Sequence, residues 1–176
     1  MTPGLHKCCY INAVTTADPT QEGRLRLLFQ LLREMDAAIV DVYRERGMGT
    51  VRSRFALPLV RLSRLGPLTI TELARQAGLT HSAMSQTVSQ MRSAGLVESR
   101  AGADGRTREV VLTGAGHAVV PLAEAEWRAT EAAIAELEEE LPYALSRVAG
   151  DVAAALERRS FAERLADHLP AAGDEG

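Results

Sequence analysis

Between residues 69 and 95 the chain carries two short helix-forming stretches around one tight turn, and nothing else in it limits the fold as strongly. Thr69 is followed three positions on by Glu72. That is the spacing of a capping box, in which the threonine oxygen accepts from the Glu72 amide while the carboxylate accepts from the Thr69 amide. The helix it opens carries Leu73 and Ala77 and stops at Gly78. Thr80 stands as N-cap of the next helix, whose apolar residues Met84, Val88 and Met91 are four and three apart, and which ends near Gly95. Two short helices joined by a glycine-containing turn make a helix-turn-helix.

The flanks extend this unit. Residues 96–100 and 108–112 read as two strands, and Asp104-Gly105 between them is a hairpin turn, so the pair forms a small wing. Thr113 caps a long helix expected to run to about Glu140, on the order of 40 Å. Leu141-Pro142 interrupts it. One last helix is expected from about Tyr143 to Leu169, with Leu145, Val148, Val152, Leu156, Phe161, Leu165 and Leu169 apolar. Upstream, the helical pattern begins at Glu22, with Leu25, Leu28, Phe29, Leu32, Met35, Ile39 and Val42 as one stripe ended by Gly47 and Gly49. A second helix is expected from Val51 to Leu65, with Phe55, Leu59, Leu62 and Leu65 inward, Pro58 bending it or exposing a carbonyl, and Gly66-Pro67 stopping it.

The expected fold is therefore mostly α with a small β-hairpin wing. A winged helix-turn-helix over residues 50–112 is flanked by a dimerisation helix over 20–48 and C-terminal dimerisation helices over 113–170. Residues 1–19, aperiodic with Pro3, Gly4 and Pro19, read as a flexible arm, and residues 171–176 as a disordered tail. Long terminal helices with one apolar stripe exceed what a single chain of this size needs, and they are expected to pair in a two-fold homodimer. The other reading is an intrachain pair of terminal helices.

Charge follows the same division. Residues 51–112 carry nine arginines against four carboxylates, net +5, whereas residues 113–176 carry five arginines against thirteen carboxylates, net −8. A basic middle between a neutral start and an acidic end suits a nucleic-acid module beside assembly helices. With Met84, Val88 and Met91 inward, the opposite face of the second short helix offers His81, Ser82, Ser85, Gln86, Ser89 and Arg92, without one acid. Such a face can enter a major groove, since it avoids carboxylates near phosphates and presents donors and acceptors to base edges. Gln86 suits a two-pronged pair with adenine, and Arg92 suits a phosphate. Arg100, Arg106 and Arg108 cluster on the wing, where arginine suits a narrow minor groove, with Asp104 placed to brace Arg106. Arg52 and Arg54 add phosphate contacts. The plain alternative is a solvated helix face and a hairpin of mixed charge.

These pieces in this order resemble a MarR-type winged-helix transcriptional regulator. The resemblance rests on residues 68–79 (LTITELARQAGL), the helix of residues 80–94 with Gly95-Leu96-Val97, the wing of residues 100–106, and Leu112-Thr113-Gly-Ala-Gly116. It covers residues 22–169, most strongly 68–116. It implies a homodimer on double-stranded DNA, with two recognition helices reading an inverted-repeat operator whose half-sites lie about 10 base pairs apart. It further implies repression relieved by a small-molecule effector, or, in oxidant-sensing members, by a cysteine.

Cys8 and Cys9 lie in the arm, ahead of the first helix, whereas the oxidation sensors of the family place their cysteine within or at the start of that helix. Thiol sensing, with Lys7 beside the pair, stays an alternative to incidental free cysteines. Candidate effector contacts are Phe29, Phe55 and His117, with Arg26 and Trp127 behind them, against core packing or a solvated face for each. The histidines His6, His81, His117 and His168 are scattered, and no hydrolase elbow, phosphate loop or zinc spacing occurs, so no enzyme, metal or cofactor is expected. Gly114-Ala-Gly116 reads as a chain turn, and Glu136 to Glu140 as a solvated face. With no apolar run of membrane length, no export signal and adjacent cysteines, a cytoplasmic setting is expected. The competing function is a protein-interaction module on a winged-helix scaffold.

Overall fold

The computed structural model describes residues 23–102 and 107–169. The chain divides between Gly49 and Thr50 into two compact units. In the first, α1 (Arg26–Glu45) is the helix expected from the apolar stripe. Leu25, Leu28, Phe29 and Leu32 on that stripe are exposed. The helix ends just before Gly47, whose φ of 74° an L side chain seldom adopts.

The second unit opens with a 3-10 turn, Ser53–Phe55, and then α2 (Ala56–Leu65). The single helix expected from Val51 is thus corrected to a turn and a shorter helix. Pro58 falls at the third helical position, where the amide has no intrahelical acceptor, so the proline removes no hydrogen bond. Phe55, Leu59 and Leu62 are buried as expected, but Leu65, the last helical residue, is exposed.

A two-residue strand, β1 (Leu68–Thr69), follows, too short for any period to announce it. α3 (Ile70–Ala77) opens on the expected capping box: the Glu72 amide donates to Thr69 Oγ1 at 3.2 Å and the Thr69 amide to Glu72 Oε2 at 2.7 Å. Gly78, at φ 63°, stops it in the left-handed region. α4 (His81–Ser93) is capped by Thr80, whose hydroxyl accepts from the Ala83 amide at 3.2 Å. β2 (Val97–Ala101) and β3 (Arg108–Leu112) form the wing, with Val97 opposite Leu112 and Ala101 opposite Arg108. β3 lies between β2 and β1 in one antiparallel sheet. α4 packs on α3 and β2 through buried Met84, Val88 and Met91. The buried Thr87 satisfies its hydroxyl on the Ala83 carbonyl at 3.1 Å.

α5 (Gly114–Glu140) starts from Thr113, whose hydroxyl accepts from the Gly116 amide at 3.1 Å, and it packs on α2. Gly114 and Gly116 are therefore first-turn helical residues, at the helix start that Thr113 caps. The single last helix is also corrected: α6 (Leu145–Arg158) and α7 (Phe161–Ala166) are separate. Ser160 between them forms a second capping box with Glu163, the Glu163 amide donating to Ser160 Oγ at 3.2 Å and the Ser160 amide to Glu163 Oε2 at 2.8 Å. That Ser-x-x-Glu spacing was readable and outweighs the apolar period running through it.

The Thr69 box predicts an acid response. The backbone amide of Thr69, and after it the Thr69 hydroxyl, hold the Glu72 carboxyl below its usual range. A carboxyl depressed in the folded state contributes stability above its unfolded pKa and loses it as pH falls through the folded one. Thr69→Ala is expected to cost about 1 kcal/mol near neutrality, and its deficit to shrink on the acid side. Urea unfolding at several pH values checks this, and a deficit independent of pH would mean that the Thr69 hydroxyl has no part in lowering the Glu72 carboxyl.

Candidate nucleic-acid interface

α4 carries no acidic residue along its length. With its apolar positions inward, His81, Ser82, Gln86, Ser89 and Arg92 are exposed and Ser85 is half-buried. His81 is the first helical residue and Arg92 lies in the last turn, so the polar face runs the full helix. These residues share one surface because three- and four-residue steps return to the same side of a helix.

The arginines around α4 differ in their surroundings. Arg52 is exposed in extended backbone just before the 3-10 turn. Arg54, also exposed, donates from Nη2 to Gln90 Oε1 of α4, and its Cζ lies 5.9 Å from the Phe55 ring centre. Arg100 on β2 stands directly opposite Glu109 on β3 and pairs with it at 3.5 Å. Arg108 is exposed opposite Ala101. Arg106 and its expected brace Asp104 lie outside the described residues, as do Cys8 and Cys9. Gln90, exposed one turn beyond Gln86, is a polar residue of α4 that the reading of its face passed over. The four-residue step from Gln86 was the signal for it.

The expected effector contacts fall in different environments. Phe55 is only 2% exposed, inside the core and closed to a ligand arriving from solvent. His117 is exposed on α5 and Phe29 on α1. A groove of about 250 Å³ lies instead between α2 and α5, lined by Leu57, Val60, Arg61, Arg64, Glu124, Trp127 and Arg128. Arg64 donates from Nε and Nη2 to Glu124 Oε1 at 3.1 and 2.8 Å. Among the described residues no cluster of His, Cys, Asp and Glu is arranged to hold a metal. No helix among them is long and apolar enough to cross a membrane.

Residues 59–107, from the middle of α2 to the end of the wing turn, match the model of the MarR family. That segment, the helix-turn-helix and the first part of the wing, is therefore similar to the MarR family. Among solved structures, the M. tuberculosis transcriptional regulator MOSR, in complex with DNA, is 26% identical with a TM-score of 0.53, over 78% of this chain and 99% of that one. A MarR protein from Peptoclostridium difficile is 19% identical with a TM-score of 0.54, over 90% of this chain and 98% of its own. S. aureus MepR, in a DNA complex, is 15% identical with a TM-score of 0.57, over 77% and 97%. The last two show the shared fold. Comparison with curated protein sequences returns no match. The matched family is one of transcriptional regulators and not of enzymes.

The MarR-family match stops just short of β3, but the Leu112-Thr113-Gly-Ala-Gly116 motif beyond it ties the winged helix to α5. The Thr113 hydroxyl donates to the Gly95 carbonyl at 2.6 Å, and the Thr113 amide donates to the Leu96 carbonyl at 3.0 Å. One residue thus caps α5 and holds the turn that leaves α4.

Proposed function

We propose that this chain is a homodimeric transcriptional regulator that binds double-stranded DNA in a sequence-specific way and represses until a small ligand releases it. The observation carrying this reading is the acid-free, exposed face of α4 on a MarR-family winged helix. His81, Ser82, Ser85, Gln86 and Ser89 read base edges in the major groove. Arg92, Arg52 and Arg54 meet phosphates, and Arg100, Arg106 and Arg108 approach the minor groove from the wing. In that role Arg100 exchanges or shares its exposed pairing with Glu109, a contact of small net stability. The exposed apolar stripes of α1 and of α6 and α7 supply the pairing surfaces of the dimer, whose two α4 helices read an inverted repeat with half-sites about 10 base pairs apart.

The groove between α2 and α5 supports the effector part of the reading. Leu57, Val60 and Trp127 offer an apolar wall and Arg61 a cation, a fit for a small organic molecule with an anionic end. Such a regulator works in the cytoplasm, where the DNA is.

The test is a titration of the full chain with the duplex upstream of its own gene and with a scrambled duplex, at about 50 and 200 mM salt. Tight, sequence-selective binding that falls by several hundredfold or more between the two salts is expected. Gln86→Ala is expected to change base preference at one position of each half-site. Arg106→Ala is expected to weaken all sequences alike and lower the salt slope by about one. Absence of binding to either duplex at low salt sinks the DNA reading and favours a protein-interaction module.

A further inference from the structure

Arg54 meets α4 through a side chain and not through the backbone, and the chemistry of that contact restricts what α4 can read. The guanidinium has donors only, so the Gln90 atom facing it is the amide oxygen. Oε1 has two lone pairs, and the one that accepts from Arg54 orients the amide with its oxygen on the guanidinium, so the two Nε2 protons are the groups of Gln90 best placed for a base. A free glutamine pairs best with adenine, accepting from N6 while donating to N7. A glutamine whose oxygen is held on a guanidinium, with one lone pair used and a cation beside the other, is a weaker acceptor in that pair. Guanine, with acceptors at both O6 and N7, then becomes the better partner. Gln90 is exposed and lies one helical turn beyond Gln86 on the same side of α4. Arg54 itself sits at the 3-10 turn that enters α2, beside the buried Phe55 ring, so its backbone is anchored in the core while its charged end reaches α4.

We propose that Arg54 is a positioning residue that orients Gln90 to read mainly as a donor, making guanine and not adenine the preferred base at the position Gln90 meets. This rests on the DNA-binding reading above and adds a specificity element to it. Arg54 keeps its remaining donors, so a phosphate contact and the Gln90 bond are compatible.

The experiment is selection of bound duplexes from a randomised library by the full chain, comparing wild type with Gln90→Ala, Gln90→Glu, Arg54→Ala and Arg54→Lys. Gln90→Ala identifies the position by flattening it. In wild type that position favours guanine over adenine by about five- to tenfold, the worth of one good base contact. Arg54→Ala moves the preference there to adenine and leaves other positions unchanged, while Arg54→Lys, which still donates, retains guanine. Gln90→Glu, similar in shape but without donors, loses guanine and provides the reading if Gln90→Ala fails to fold. The inference is overturned if wild type prefers adenine at that position, if no position responds to either Gln90 variant, or if Arg54→Ala weakens every sequence equally. Failure to select any duplex at low salt removes the DNA-binding reading and this inference with it. Selection with unaltered preferences removes this inference alone.

Discussion

Gly116→Ala will unfold the protein about 6–12 °C below wild type, the shift that about 3 kcal/mol of overpacking produces in a chain of this size. A β-carbon at Gly116 would stand 2.1 Å from the Leu96 carbonyl oxygen, far inside van der Waals contact, and 3.2 Å from a methyl of Leu112. The nearer atom is backbone and cannot swing aside as a side-chain tip can. It also accepts the Thr113 amide at 3.0 Å, so moving it breaks the bond joining β3 to the turn after α4. The clash therefore spreads into α5 and the exit from α4 together. Gly114→Ala is the internal control. No atom lies within 4 Å of a β-carbon there, and the position is the first of α5. Removing glycine's freedom from the unfolded chain should leave this variant equal to wild type or about 0.4–1 kcal/mol more stable. Differential scanning calorimetry of the two variants decides the matter. A Gly116→Ala midpoint within a degree or two of wild type would mean that Leu96 yields without cost.

The second large effect is on assembly. Leu145, Val148, Val152 and Leu156 are 42%, 46%, 52% and 39% exposed along one side of α6, and Phe161 and Leu165 of α7 are 68% and 47% exposed. None of the residues of α6 or α7 is buried in the isolated chain. Val152→Asp puts a carboxylate in the middle of this apolar face. In a two-fold interface the substitution occurs twice. At about 1.5 kcal/mol or more for each lost valine burial, the dimer should weaken at least about 100-fold, before any cost of burying the charge. Sedimentation velocity at micromolar concentration should show a dimer for wild type and a monomer for Val152→Asp. The monomer should also lose most of its affinity for an inverted repeat, since one recognition helix then acts alone. A monomeric wild type, or a variant as dimeric as wild type, would place the pairing surface elsewhere or remove it.

Legibility in the sequence followed how local the physics was. The helix-turn-helix was readable because each of its boundaries is set within four residues: Thr69 with Glu72, Gly78 in the left-handed region, and Thr80 with Ala83. The inward face of α4 was readable because Met84, Val88 and Met91 repeat at helical spacing. The break before α7 belonged to the same class of signal, yet the apolar period from Leu145 to Leu169 masked the Ser160–Glu163 box. β1 was different in kind. Two residues have no period, and Leu68 and Thr69 become a strand because β3 lies beside them, forty residues away in the chain.

Within the candidate site the division is similar. The amino-acid order alone determined the capped helices, the wing strands, the basic middle segment and the acid-free face of α4, all of which arise from neighbours along the chain. Only the tertiary structure decided that Arg54 reaches Gln90 across 36 positions, that Arg100 faces Glu109, that Phe55 is sealed in the core, and that a groove opens between α2 and α5. The reason is geometric. Helical period and capping act over one turn, whereas which arginine meets which acceptor, and where Gly116 must leave room for Leu96, depends on how separate elements pack.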